Sequence, residues 1–189
     1  MKRVALFLGA VIFSVMLSSC GGNTKEKIYN EVNAFFAQKE AEIQAIDNAD
    51  DLLAFVNAMD ELPELEIVGK YADENNKIKG LNEEDANKLM DMMHERRAAY
   101  LAIEQAKCTE IMEPLITDYE GIVADLYEDY ENDLAEADEE KLEKWEVIYD
   151  QIYDYADIIP DELADRFLEA DEVIDFMFGL GDYSEEEVE

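Results

Sequence analysis

Cysteine, histidine, proline and glycine are all scarce in this chain. Its 189 residues include two cysteines, one histidine, three prolines and eight glycines. Because proline and glycine interrupt helices most strongly, their scarcity leaves long stretches of good helix formers unbroken. No run of alternating strand residues occurs beside them. The sequence therefore predicts an all-α fold.

The single histidine, His94, excludes several classes of metal protein. A di-iron carboxylate bundle takes a Glu-x-x-His motif from each of two helices, and one histidine does not supply two. Covalent haem is excluded because Cys-x-x-Cys-His is absent. The chain also lacks a zinc signature, a phosphate-binding glycine loop and a Ser-His-Asp arrangement. We therefore expect no catalytic residues and no cofactor.

Basic residues are few, and the charge is uneven. The chain has 15 Lys plus Arg against 49 Asp plus Glu, for a net charge of −34. From Thr109 to Glu189 there are 30 acidic and three basic residues, a net charge of −27. Such a field repels nucleic acid and favours cationic proteins or peptides, with weak association of divalent cations. The alternative is that the charge serves only solubility.

The only long apolar run lies at the N-terminus. Val4 to Leu17 is 14 residues long, whereas a membrane-spanning helix needs about 20. Lys2 and Arg3 precede the run, and the small residues Ser18 and Ser19 follow it. This order of basic, apolar and small residues is typical of a cleaved export signal.

The signal ends at a cysteine. Leu17-Ser18-Ser19-Cys20 resembles the lipobox of bacterial lipoproteins, and the resemblance extends no further than the export signal. It implies that Cys20 becomes the first residue of the mature chain and carries palmitate-like acyl chains as a membrane anchor. Several chains together anchor a protein durably, since each buried methylene contributes about 0.8 kcal/mol. The alternative is an ordinary cleaved signal and a soluble periplasmic protein.

Gly21 follows the cysteine, where lipoproteins retained at the inner membrane often carry Asp. The resemblance therefore implies a cell-envelope location at the outer membrane, facing the periplasm or the surface. Cys20 is used for lipid, so Cys108 has no disulfide partner within the chain. We predict a signal peptide over 1–19, a tether over 20–24, a single helical domain over 25–181 and an acidic tail over 182–189.

Apolar spacing predicts an antiparallel bundle of five or six helices. Breaks between the helices are expected at Asn48 to Asp51, in a long loop over 63–81, and at 136–140. The expected helices are one over 24–46, a shorter one carrying Leu52 to Leu62, a long one from Asn82, one ending before Pro160, and one starting at Pro160 and stopping at Gly179.

The long helix has an apolar stripe and an internal proline. Pro114 removes a backbone hydrogen bond and clashes with the preceding turn, so a kink or break is expected between Cys108 and Pro114. The stripe comprises Met90, His94, Ala98, Leu101, Cys108, Met112, Leu115, Tyr119, Ile122, Leu126, Tyr130 and Leu134.

One stretch of the long helix resembles a soft metal site. "MDMMHERR", residues 90 to 97, places Met92 beside His94, and thioether with imidazole suits cuprous copper or a haem iron. The competing interpretation is packing, because Met90 and Met93 fall at core spacing and methionine fills irregular gaps. Cys108 lies on the apolar stripe and is expected to be a buried hydrophobic residue rather than a nucleophile.

Tyrosines are concentrated in the acidic half of the chain. Three lie off the apolar stripe, where tyrosine among carboxylates suits the binding of a basic protein or peptide: Tyr127, Tyr153 and Tyr155. The sequence thus favours a lipid-anchored, non-catalytic binding or scaffolding module. Two alternatives stay open: a ligand- or metal-carrying helical bundle, and an envelope enzyme without a recognisable motif.

Overall fold

The computed structural model describes residues 24–74, 77–78, 81–132 and 139–179. Within these ranges the chain is helical, with no strand beyond one antiparallel bridge between Ala72 and Ile78. The all-α, bundle-like fold is confirmed. The helices are α1 (Thr24–Gln44), α2 (Ala49–Asp60), α3 (Glu64–Gly69), α4 (Glu83–Glu131), α5 (Glu139–Asp154) and α6 (Asp161–Phe178), with a 3-10 helix at Ala156–Ile158.

Helix ends follow local side-chain chemistry. The side-chain oxygen of Asn48 accepts a hydrogen bond from the Asp51 amide at 2.9 Å and caps α2. Asn82 caps α4 in the same way, at 2.8 Å from the amide nitrogen of Asp85. Gly179 closes α6 in the left-handed conformation, with φ 66°. The predicted stop at Gly179 and the predicted cap at Asn82 are confirmed.

Three predicted boundaries are wrong. Helix α2 ends at Asp60, and Leu62 lies beyond it, exposed and with φ 54°. The predicted loop over 63–81 contains the six-residue helix α3, which starts directly after Pro63. Burial of Glu64 and Ile67 stabilises this short helix. Helix α6 starts at Asp161, one residue after the predicted start, and Pro160 is its N-cap.

Helix α4 runs through Pro114 without a break. A proline inside a helix removes one hydrogen bond, and the turns on both sides retain theirs when they are packed. Met112 and Ile116, which flank Pro114, are fully buried. Of the predicted kink or break, the break is therefore wrong, while a kink near Pro114 stays a prediction.

The predicted stripe of α4 is correct only between Cys108 and Leu126, since Tyr130 is exposed and Leu134 lies outside the described residues. Cys108, Met112, Tyr119 and Leu126 are buried as expected, but four earlier members are exposed: Met90, His94, Ala98 and Leu101. The buried row there is Leu89, Met93, Tyr100 and Glu104. Apolar residues occur here in adjacent pairs, such as Leu89-Met90 and Tyr100-Leu101. Their spacing therefore fits two neighbouring rows along the helix equally well, and it does not indicate which row is buried.

The described residues divide into two compact units. One comprises residues 24–35 and Glu64–Arg96. Its helices are joined by an ion pair between Lys25 and Asp85, and by the Tyr71 hydroxyl, which donates a hydrogen bond to Glu31 Oε1 at 2.5 Å. Its buried apolar residues are Ile28, Val32, Ile67, Leu89 and Met93.

The other unit comprises Phe36–Pro63 and residues 97–179, and includes most of the acidic half. Arg97 Nη1 donates a hydrogen bond to the Met59 carbonyl at 2.9 Å and thereby covers the last turn of α2. Helices α1 and α4 contribute residues to both units, and the single domain predicted over 25–181 stays a prediction. The largest fully buried side chains of this unit are Tyr100, Tyr119, Phe36, Ile43, Leu52, Met59, Met112, Ile116 and Ile174.

Candidate functional site

The three tyrosines predicted to bind a partner have different surroundings. Tyr153 is 58% exposed on α5. Tyr127 is half-buried on α4, and a hydrogen bond with Glu131 raises its pKa. The Tyr155 hydroxyl donates a hydrogen bond to Asp50 Oδ1 at 2.9 Å. Tyr155 thus ties the end of α5 to the first turn of α2, which is a structural contact.

An aromatic cluster joins α4, α5 and α6. The ring of Tyr149 lies 4.8 Å from Tyr153, 5.3 Å from Trp145 and 5.9 Å from Phe167, between ring centroids. Tyr119 completes the cluster at 4.9 Å from Phe167. Tilted ring pairs at these separations are favourable beyond their buried area. Tyr153 is therefore the exposed edge of a packed aromatic layer.

A chain of hydrogen bonds crosses this layer. Trp145 Nε1 donates to Tyr119 Oη at 3.0 Å, and Tyr119 Oη donates to Asp171 Oδ1 at 2.6 Å. Burial raises the pKa of Tyr119, and the bond to Asp171 adds to the effect. The hydrogen bond with Tyr153, together with burial and the charges of Asp171 and Asp175, raises the pKa of Tyr149 to about 12. These hydroxyls stay protonated at neutral pH and act as donors.

A second aromatic group lies at the ends of α4 and α6. Tyr130 and Phe176 meet edge-on at 6.3 Å, and Tyr127 lies 6.4 Å from Tyr130. Tyr130 is 52% exposed and Phe176 is 51% exposed. Sequence reasoning assigned Tyr130 to the core because its spacing follows the stripe, and that assignment is wrong. We call Tyr130, Tyr153 and Phe176 the exposed aromatic residues.

A shallow groove of about 630 Å³ lies between α4 and α5. Four carboxylates line it, from Asp118 and Asp125 on α4 and from Glu140 and Glu143 on α5. The one cationic residue in the lining, Lys144, pairs with Glu140 at 3.0 Å. The remaining lining residues are Thr117, Gly121, Ile122, Val147 and Ile148.

Sequence reasoning did not identify this groove, although one signal was present. Gly121 is an isolated glycine inside a helical pattern, which costs about 1 kcal/mol relative to alanine and calls for a reason. A Cβ atom at this position would meet nothing within 4 Å. The glycine is therefore not required by packing inside the protein.

A buried polar group lies in the core of the same unit. Glu104 is 9% exposed, and neither its Oε2 atom nor the Tyr100 hydroxyl has a partner in hydrogen-bond geometry. Burial raises the pKa of Glu104. Burial and the nearby Glu104 raise the pKa of the Cys108 thiol to about 11. Cys108 is therefore a protonated, buried residue at neutral pH, consistent with the sequence-based interpretation.

The stretch considered for a soft metal lies on several sides of α4. His94 is exposed, Met92 is half-buried and Met93 is buried. Residues two apart on a helix do not face each other, so Met92 and His94 do not converge on one point from a single helix. In the described part of the chain, no three His, Cys, Asp or Glu side chains come together in a way that would hold a metal ion.

The lipid-attachment residue Cys20, the signal over 1–19 and the acidic tail over 182–189 lie outside the described residues. Of the tether over 20–24, only Thr24 is described, as the first residue of α1. None of the described helices is both long enough and apolar enough to cross a membrane.

No family model, no curated protein and no solved structure matches this chain. The fold is that of an all-α protein. Its acidic half has exposed aromatic residues and a groove between α4 and α5.

Proposed function

We propose that this protein is a lipid-anchored protein of the cell envelope that acts as a non-catalytic binding or scaffolding module through its acidic, tyrosine-bearing helical surface. The observation that carries the proposal is the combination of charge and exposed rings. Tyr130, Tyr153 and Phe176 are each more than half exposed, within the half of the chain that has a net charge of −27.

Exposed aromatic rings have an energetic cost in water that a partner removes. Tyrosine contributes a large apolar area together with a polar hydroxyl, which is why it is enriched at protein interfaces. Tyr153 is held by Tyr149 and Phe167, so little side-chain entropy is lost when a partner covers it. The aromatic layer thus supplies rigid contacts.

The charge of this surface favours a cationic protein or peptide. A surface of one sign accelerates the encounter with an oppositely charged partner and repels partners of the same sign. Nucleic acid is disfavoured for the same reason. Divalent cations associate weakly with such a surface, without a defined site.

The test is a pulldown of the intact lipoprotein from detergent-solubilised envelope, at low and at high salt, read by mass spectrometry. We expect to recover basic proteins at low salt and to lose them at high salt, because salt screens the electrostatic attraction. Replacing Tyr153 and Tyr130 by Ser should remove these partners. Leu65→Ser is the matched control, because Leu65 is 49% exposed but lies outside the acidic half. Recovery of the same proteins by the tyrosine variant would contradict the proposal.

A further inference from the structure

We propose that the groove between α4 and α5 binds a short, basic amphipathic helix of a partner protein. This inference rests on the proposed binding function and adds the chemistry of the partner and the place where it binds. Three features of the groove carry it: its charge, its apolar floor and the glycine in that floor.

The charge of the groove selects a cationic partner. Asp118 and Asp125 stand on one side and Glu140 and Glu143 on the other, while Lys144 is already paired with Glu140. The lining therefore has three more negative than positive groups. Lysine or arginine side chains on both flanks of a bound segment would neutralise these carboxylates from two directions.

The floor of the groove is apolar. Ile122, Val147 and Ile148 contribute to it, and Val147 is 56% exposed. A lining that combines branched aliphatic side chains with carboxylates from both helices matches a helix that has an aliphatic stripe with basic residues beside it. Docking of an amphipathic helix into a groove is one of the recurring modes of peptide recognition.

Gly121 lies in this floor and exposes bare backbone to the groove. An added Cβ atom would meet nothing within 4 Å inside the protein, so alanine would fit and would favour the helix by about 1 kcal/mol. Glycine at such a place permits a ligand to approach the backbone closely. The groove therefore retains a residue that destabilises α4 and opens space for a partner.

The dimensions limit the bound segment. Asp118 and Asp125 are seven residues apart on α4, which corresponds to about 10 Å along a helix axis. The groove thus accommodates about two turns of a partner helix. A segment of this length places aliphatic residues at i, i+3, i+4 and i+7 against the floor.

The test measures binding of a labelled probe peptide to the full-length lipoprotein in detergent, by fluorescence anisotropy at low salt. The probe is a helical peptide of about three turns, with leucine at i, i+3, i+4 and i+7 and lysine elsewhere. Its counterpart has glutamate in place of lysine. We expect binding of the lysine peptide only, with affinity falling as salt is added.

Variants at position 121 separate binding from folding. Gly121→Ala should raise the thermal stability of the protein and lower its affinity for the lysine peptide by a few-fold. Gly121→Leu should lower that affinity by at least tenfold, about 1.4 kcal/mol. Ala124→Leu is the control, because Ala124 is exposed on the same helix and does not line the groove. Val147→Ser should weaken binding, whereas Leu168→Ser, also 56% exposed, should not.

Three results would overturn the groove as the binding place: no binding of the lysine peptide at low salt, equal binding of the glutamate peptide, or unchanged affinity in Gly121→Leu. The proposed function is tested separately, since the envelope pulldown uses native partners and different variants. Salt-sensitive partners in that pulldown, together with an unchanged Gly121→Leu affinity, would retain the binding function and reject the groove.

Discussion

Trp145 donates a hydrogen bond from its indole nitrogen to the hydroxyl oxygen of Tyr119, at 3.0 Å. The same hydroxyl donates to Asp171 at 2.6 Å. One buried tyrosine on α4 therefore connects α5 and α6, and its ring is linked through Tyr149 to the exposed Tyr153.

Tyr119→Phe should destabilise the protein by about 1–3 kcal/mol, since the indole donor and the carboxylate both lose their partner while the ring remains. The measurement is chemical unfolding followed by the fluorescence of Trp145, the only tryptophan in the chain. Tyr130→Phe removes a hydroxyl from a half-exposed ring and should change stability by less than about 0.5 kcal/mol. Equal effects of the two variants would refute a structural role for the Tyr119 hydroxyl.

Glu104→Gln should make stability less dependent on pH. Burial raises the pKa of Glu104 in the folded protein, so the folded state holds its proton more tightly than the unfolded state. Its favourable contribution is complete below the unfolded pKa of about 4.3 and is lost as pH rises through the folded pKa.

At pH 7 Glu104→Gln should therefore be more stable than the unaltered protein by about 1 kcal/mol or more, because no charge is then buried. The difference should shrink as the pH is lowered. Thermal unfolding over a pH series measures it, with the exposed Glu95→Gln as the control. A constant difference at every pH would show that the Glu104 carboxyl does not titrate as proposed.

Leu62→Gly should stabilise the protein by about 0.5–1 kcal/mol. Leu62 has φ 54° just beyond the end of α2, a conformation that costs an ordinary residue about 1 kcal/mol and glycine almost nothing. Leu62→Ala removes most of the same side chain and keeps the strain, so it should give no gain. If alanine stabilises as much as glycine in thermal unfolding, the strain is not the cause.

Cys20→Ser should release the protein from the membrane fraction and abolish labelling by a clickable palmitate analogue. The resemblance of residues 17–20 to a lipobox places the acyl chains on this thiol. Cys108→Ser is the control. Cys108 is buried with a raised pKa and should take no label, so this variant should keep both its membrane association and its label. Membrane association and label that persist in Cys20→Ser would contradict the anchor.

Helix content and several helix ends were predictable because they depend on local chemistry. Asn82 caps α4 with its side chain as predicted, and Gly179 ends α6 in a left-handed conformation that other residues rarely adopt. A kink or break was expected between Cys108 and Pro114, and α4 has no break there, because Met112 and Ile116 are buried on either side of Pro114 in one continuous helix. At Pro114 the stabilisation from packing outweighs the local tendency of proline to break a helix.

The candidate site was less predictable, since it depends on which residues of separate helices meet. Tyr153 was identified as exposed, whereas Tyr155 bonds to Asp50, which is 105 residues away along the chain. Tyr130 follows the core spacing and is nevertheless exposed. No periodicity within one helix specifies the partner helix, so these outcomes were not readable from spacing.

The sequence by itself determined the all-α class, the strongly acidic charge and several helix ends, because these follow from composition and from contacts within a few residues. Only the tertiary structure decided which apolar row of α4 is buried, which tyrosines stay exposed, and that Gly121 faces an acidic groove between α4 and α5. Burial is set by the helices that pack against each other, and their pairing depends on long-range contacts that a one-dimensional pattern does not contain.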